Sequence, residues 1–329
     1  MSAVNDERRS HEPRSRLFIG LAVTTAFLTL GLIVFGAVVR VTDSGLGCGN
    51  EWPTCHGSLI PPAGNLTAWI EWLHRAFAVL IGFMGIGMLV TAITAYRNQR
   101  RGVLIATMTA AVLFALQAAL GALTVIFDVQ PTIVTLHLGT AMLLLGALLL
   151  ACVWAQYKPV ISTGYARDRF TVLAYLTTAL SLIIILTGAL VRGSGATLAC
   201  IDWPLCNGSV MPFDQGPLAT IHWLHRLAVV GLGVALAFVT FYAYSSRQVK
   251  AIRTLSLLSL LSYLAQAGVG AMFVISAAAP GWGAAHVGMA ALTWALLVML
   301  STVETSNNLV NEKQAEIPWQ QQSEPALNP

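Results

Sequence analysis

Eight stretches of predominantly apolar residues divide the chain, at 17–40, 69–95, 103–126, 132–154, 170–192, 219–244, 251–275 and 281–303. A helix rises about 1.5 Å per residue, so about 20 such residues cross the roughly 30 Å hydrocarbon layer of a bilayer. Inside that layer every backbone N–H and C=O must be satisfied by the chain itself, which leaves helices or closed barrels. Continuous apolar runs of this length read as helices. The composition agrees: 56% of residues are hydrophobic and only 10% charged, against roughly 25% charged in soluble domains. An all-α integral membrane protein of eight transmembrane helices is expected. Pro and Gly in DVQP at 128–131 and AAAPG at 277–281 mark tight turns between spans.

Lys and Arg set the orientation, because they concentrate on the cytoplasmic side. With the N-terminus inside, fourteen of the eighteen basic residues fall in inner segments, from Arg8, Arg9, Arg14 and Arg16 to Arg247, Lys250, Arg253 and Lys313. Only Arg40, Arg75, Arg192 and Arg226 fall outside. Both termini are therefore expected in the cytoplasm, as in a multi-pass protein of a bacterial plasma membrane. The polar residues 1–16 read as a cytoplasmic tail rather than a cleaved signal. Residues 155–169 read as a cytoplasmic linker and 304–329 as a second polar tail.

The second half of the chain repeats the first. GAVVR ending at Arg40 answers GALVR ending at Arg192, and EWLHR at 71–75 answers HWLHR at 222–226. LQAALGALTV answers AQAGVGAMFV, LHLGTA answers AHVGMA, and GLGCGNEWPTCHGS answers TLACIDWPLCNGS. The offset stays between 149 and 152 residues. A four-helix unit returns the chain to its starting side, so the copies at 17–154 and 170–303 are expected to be parallel. A pseudo-two-fold axis along the membrane normal would then relate them.

Five of the seven histidines lie in spans: His74, His137, His222, His225 and His286. An ionisable side chain at membrane depth points to function by default. His74 and His137 each lie about five residues into spans of the same direction, so about 8 Å deep, and His225 and His286 repeat the arrangement. Two imidazoles at equal depth across a four-helix bundle meet the requirement for bis-histidine haem ligation; hydrogen bonding to neighbouring helices is the plainer alternative. The outer Arg40, Arg75, Arg192 and Arg226 suit haem propionates through charge-assisted bonds, or membrane lipid phosphates by snorkelling. Gln117 and Gln266 occupy matching places, each four residues before a glycine, and suit interhelical hydrogen bonds.

Cys48 and Cys55 share one outer loop, and Cys200 and Cys206 share its repeat. The oxidising side permits a bridge within each loop. Redox-active thiols are the rival reading, although neither pair is a CxxC. Cys152 is unmatched and reads as packing.

EWLHR, LHLGT at 136–140, HWLHR, AHVG at 285–288 and the paired loop cysteines together resemble the haem A synthase family, in its bacterial form with two cysteine pairs. The likeness covers about residues 17–303. It implies oxidation of the C8 methyl of haem O to the formyl group of haem A, used by terminal oxidases. It further implies a resident haem b on His225 and His286, and the substrate haem O framed by His74 and His137. Glu71, one helical turn before His74, would then act as a base toward water or stabilise developing positive charge. The likeness implies haem O synthase as substrate donor and an electron acceptor that the sequence does not name. No nucleic-acid partner is expected.

Two other classes share some of these features. A dihaem b electron-transfer cytochrome would use the same four histidines without needing Glu71 in one half and His222 in the other. A transporter of parallel repeats would show the duplication, but with polar groups near the midplane rather than near the outer face.

Overall fold

The computed structural model describes residues 15–98, 100–161 and 167–315. Of the three cytoplasmic segments expected, residues 1–14, 162–166 and 316–329 lie outside the described residues. Eight helices are long and apolar enough to cross a membrane: α1 (Arg16–Val41), α2 (Leu66–Tyr96), α3 (Arg101–Ile126), α4 (Pro131–Gln156), α5 (Arg169–Gly193), α6 (Pro217–Ser246), α7 (Lys250–Ile275) and α8 (Pro280–Ala315). The chain is a multi-pass membrane protein, and among the described residues there is no strand.

Local chemistry sets the helix ends. Ser15 and Asn65 accept the backbone N–H groups of Phe18 and Ala68 at 3.2 and 3.1 Å, satisfying donors that no helix can satisfy internally. Asp168 forms a capping box with Thr171 at the start of α5. Proline, which lacks an N–H, opens α4, α6 and α8. The tight turns after α3 and α7 share one form. Asp128 and Val129 in the first, and Ala277 and Ala278 in the second, have positive φ. Val129 N–H and Ala278 N–H reach back to Thr124 and Phe273 carbonyls at 2.7 and 2.9 Å.

Each half is a ring of four helices, α1–α2–α3–α4 and α5–α6–α7–α8, closed by α1 on α4 and α5 on α8. Across the boundary α1 packs on α8, α4 on α5, and α4 on α8. Exchanging the halves leaves this pattern unchanged. The central pair is the most buried, 56% of the apolar window in α4 and in α8 against 33% or less elsewhere. Here Trp294 donates its indole N–H to the Met142 carbonyl at 3.0 Å, and its ring lies over Gly146.

The expected tail from residue 304 is corrected in part. α8 continues to Ala315, and Glu304, Asn307, Asn308 and Asn311 are buried. Arg247, just past α6, holds the Asp168 carboxylate with two bonds at 2.7 and 2.9 Å and reaches Glu304 at 2.6 Å. Asn307 and Asn311 grip Val160 through its N–H and carbonyl at 2.8 and 3.0 Å. The polar composition that reads as a solvated tail instead partners buried groups where α5 begins and α6 ends.

Candidate functional site

Near the helix ends that carry the cysteine loops, each of the four histidines sits against a glycine of the preceding helix. His74 on α2 faces Gly36 of α1, and His225 on α6 faces Gly188 of α5; a Cβ built on either glycine would lie 3.2 Å from the ring Cε1. His137 on α4 faces Gly121 of α3 at 3.4 Å, and His286 on α8 faces Gly270 of α7 at 2.8 Å. The glycines let the helix backbones approach closely enough for each imidazole to lie on its neighbour. All four histidines thus share one kind of seat, an imidazole laid on a glycine of the preceding helix. Gly121 and Gly270 stand out in the sequence by their spacing from the glutamines, and Gly36 and Gly188 by their place in GAVVR and GALVR.

Beneath this shared geometry the two halves differ. In the second, His225 Nδ1 is 2.8 Å from Thr187 Oγ1, and His286 Nδ1 is 3.0 Å from Gln266 Nε2. In the first, Nδ1 of His74 and of His137 are buried with no partner. Phe35 stands where Thr187 stands in the repeat, its ring edge-on to His74 with centroids 5.8 Å apart. Gln117 Oε1 is likewise buried and unpartnered. Thr187 is a residue that sequence reasoning misses; its signal is a mismatch inside an otherwise repeated motif.

The outer loops lie over the helix ends. Cys48 is joined to Cys55 and Cys200 to Cys206, closing loops whose bridges contribute about 2–3 kcal/mol each. Gly47 is required by close approach, since a Cβ there would fall on the Thr67 backbone at the start of α2. Glu71 is buried, 3% exposed. Its Oε2 accepts the Cys48 N–H at 2.8 Å, and its Oε1 pairs with Arg75. Arg75 also donates to the Glu51 and Thr54 carbonyls at 3.0 and 3.2 Å. Arg226 repeats this on the Asp202, Leu205 and Cys200 carbonyls. These two guanidinium groups, expected at propionates, are engaged in holding the loops. His222, in the place of Glu71, meets the Ala196 carbonyl through Nδ1 at 3.0 Å.

Arg40 and Arg192 behave differently. They close α1 and α5 in separate halves yet converge on Asp43, at 3.9 and 3.6 Å. Asp43 is exposed, and exposed ion pairs contribute about 0–1 kcal/mol, so both cations remain available to a stronger anion at the boundary between the halves.

The donor set suits a haem. Among the described residues no three His, Cys, Asp or Glu gather as a metal cluster, whereas each half offers two imidazoles, the axial set of a six-coordinate haem iron. In the first half the orphaned nitrogens are the Nδ1 atoms, which leaves Nε2 as the nitrogen for a ligand to reach.

Residues 20–298 match the family model of the cytochrome oxidase assembly proteins, COX15-CtaA. The heme A synthase of Alkalihalophilus pseudofirmus is 32% identical over 71% of this chain and 78% of its own length. That of Halalkalibacterium halodurans is 32% identical over 71% of this chain and 79% of its own. That of Exiguobacterium sibiricum is 29% identical over 70% and 76%. The paired histidines and bridged loops of both halves thus belong to a chain of the COX15-CtaA family of cytochrome oxidase assembly proteins.

Proposed function

We propose that this protein is a haem A synthase, oxidising the C8 methyl of haem O to a formyl group by successive hydroxylation. The observation that carries the reading is the pair of depth-matched imidazole sets, each ring laid on a glycine of the next helix. The printed names of the relatives support it. His225 and His286, whose Nδ1 atoms have partners, would hold haem b. His74 and His137, whose Nδ1 atoms have none, would frame the substrate haem O. Bound haem b would supply one-electron redox chemistry beside the substrate, passing electrons to an acceptor.

The chain's own residues bind, orient and move protons. Arg40 and Arg192, weakly held by Asp43, suit the propionates of a haem lying near the outer surface. Glu71 fixes the Cys48–Cys55 loop over the first bundle. Each of its carboxylate oxygens uses one acceptor site, on Arg75 or on Cys48 N–H, and retains another. A proton from water or from a hydroxylated methyl can therefore be received without releasing the loop. The lysine and arginine distribution supports a plasma-membrane protein with both termini in the cytoplasm. Haem O synthase is the fitting donor, since haem O partitions into the bilayer that both would share.

Pigment extraction from the purified protein, made with and without a source of haem O, tests the reading. Haem b in both preparations and haem A only with haem O are expected. His225→Met and His286→Met should each remove or alter the low-spin haem b. Haem b alone and no conversion of haem O would make the chain a dihaem b cytochrome instead.

A further inference from the structure

We propose that Thr187 is a positioning residue that fixes the proton of His225 on Nδ1, so that the second half retains its haem while the first half, with Phe35 in the matching place, lets its haem exchange. This rests on the assignment of haem b to His225 and His286 above.

The hydrogen-bond accounting around Thr187 carries the inference. A threonine hydroxyl has one hydrogen and two acceptor lone pairs. Thr187 Oγ1 lies 2.8 Å from the Ile184 carbonyl and 2.8 Å from His225 Nδ1. A carbonyl only accepts, so the hydroxyl makes both bonds when its hydrogen goes to Ile184 and its lone pair takes an N–H from Nδ1. The reverse arrangement, with the hydroxyl donating to an unprotonated Nδ1, forfeits the Ile184 bond, a difference of about 1 kcal/mol. Protonation at Nδ1 places the remaining lone pair of His225 on Nε2, the form in which that nitrogen ligates iron.

The first half isolates the effect. His74 has the same relation to Gly36 as His225 has to Gly188, 3.2 Å in each case, so the ring seat is conserved between the copies. Only the partner of Nδ1 is removed, because Phe35 has no polar atom. His286 and His137 show the same contrast. Gln266 Nε2 lies 3.0 Å from Nδ1 and 3.4 Å from Nε2 of His286, so it is a polar neighbour of the ring that does not itself choose a tautomer. Gln117 forms no bond with His137. Both imidazoles of the second half thus have a polar side chain beside them, and Nδ1 of both in the first lacks one. Outer partners of this kind change metal affinity by about 10–100-fold, which divides a retained cofactor from a substrate that must leave as product.

The test uses the full chain with nitrogen-15-labelled histidine. In detergent-solubilised protein from haem-deficient cells, nitrogen chemical shifts report the tautomer of His225. The wild type and Thr187→Ser should show the Nδ1-protonated form, and Thr187→Val, nearly the same size without the hydroxyl, a mixture. In haem-containing protein, transfer of haem b to an excess of apomyoglobin should be about 10–100-fold faster for Thr187→Val and restored by Thr187→Ser. A His225 tautomer unaffected by Thr187→Val, or protonated on Nε2 in the wild type, would overturn the proposal. Wild-type protein lacking haem b would instead unseat the cofactor assignment, and the haem-free spectra would still decide the role of Thr187.

Discussion

Adding one methyl at each histidine seat should produce a graded series whose order the structure sets. A Cβ on Gly270 would lie 2.8 Å from His286 Cε1 and 3.1 Å from Nδ1. Carbon atoms pack without repulsion from about 3.5 Å, so the ring must retreat by about 0.7 Å. At Gly121 the corresponding contact is 3.4 Å, close to ordinary packing, and little need move. Gly36 and Gly188, at 3.2 Å, fall between. An imidazole is the far end of a side chain with two rotatable bonds, so Gly270→Ala should destabilise the fold by only about 1–3 kcal/mol. Iron ligation is far less tolerant, since metal–ligand distances hold within about 0.2 Å. Gly270→Ala should therefore fold, insert and lose most of its haem b, Gly188→Ala should lose less, and Gly121→Ala, in the first half, should leave both haem b and the conversion of haem O intact. The assay is haem b per polypeptide in purified protein, with the low-spin absorbance beside it. Full haem content and an unchanged spectrum in Gly270→Ala would refute the placement of His286 as a ligand seated on that glycine.

Three further outcomes follow from other contacts. Glu71→Gln should retain haem b but lower haem A production by about 10²–10⁴-fold, with His222→Gln much milder; haem extraction and chromatography at equal expression would show near-normal haem A if Glu71 serves only the loop. Arg247→Met should destabilise the protein by about 3–5 kcal/mol, because it removes the buried guanidinium that Asp168 and Glu304 share, and Arg247→Met with Glu304→Met should recover part of that loss in denaturant titrations of the micellar protein. The Glu51 carboxyl is held below its ordinary range by the Gly57 N–H and Thr54 hydroxyl, and that of Asp202 by the N–H groups of Gly208 and Asn207 against a smaller opposing effect of desolvation. A depressed carboxyl stabilises above its unfolded pKa and loses that contribution as pH falls through the folded one. Protection of the Gly57 and Gly208 amides from hydrogen exchange should thus hold at neutral pH and fail only as pH drops below the usual carboxylate range near 4.

What the sequence reveals here is whatever the bilayer or the duplication imposes. Hydrocarbon demands long apolar helices, so all eight spans are legible, with ends displaced by up to three residues in the first seven, the largest where Asn65 caps α2, and by twelve at the end of α8. The duplication marks His74, His137, His225 and His286 because a costly residue recurs at one depth. Contacts made by polar groups with other parts of the chain are not legible. Glu304 and Asn307 look like solvated tail residues, since nothing local shows that Arg247 and Val160 lie beside them. Arg75 and Arg226 look available to an anion, yet loop carbonyls take their donors, because an arginine has five N–H groups and an outer loop offers many acceptors. Thr187 is hidden for a different reason. Pattern matching rewards agreement between repeats, and Thr187 matters where they disagree.

The exchange of Glu71 for His222 shows how one scaffold acquires two characters. Both side chains are buried at the same place and grip the backbone of their own outer loop, one accepting from the Cys48 N–H and the other meeting the Ala196 carbonyl. Donor and acceptor have exchanged sides of the contact, so the loop stays anchored while the charge changes. In the first half Arg75 is neutralised by Glu71 one turn away. In the second, Arg226 bonds loop carbonyls and no carboxylate, and the anion near enough to act on it is Asp202 of the loop. A unit charge at about 10 Å, in a medium of effective dielectric about 20, is worth about 1.7 kcal/mol. A haem held at about that distance in the second bundle would be favoured as electron acceptor by at most about that much over one in the first. If haem O is oxidised between His74 and His137, electrons that leave it move down a gradient which the duplicated loops build without altering the fold.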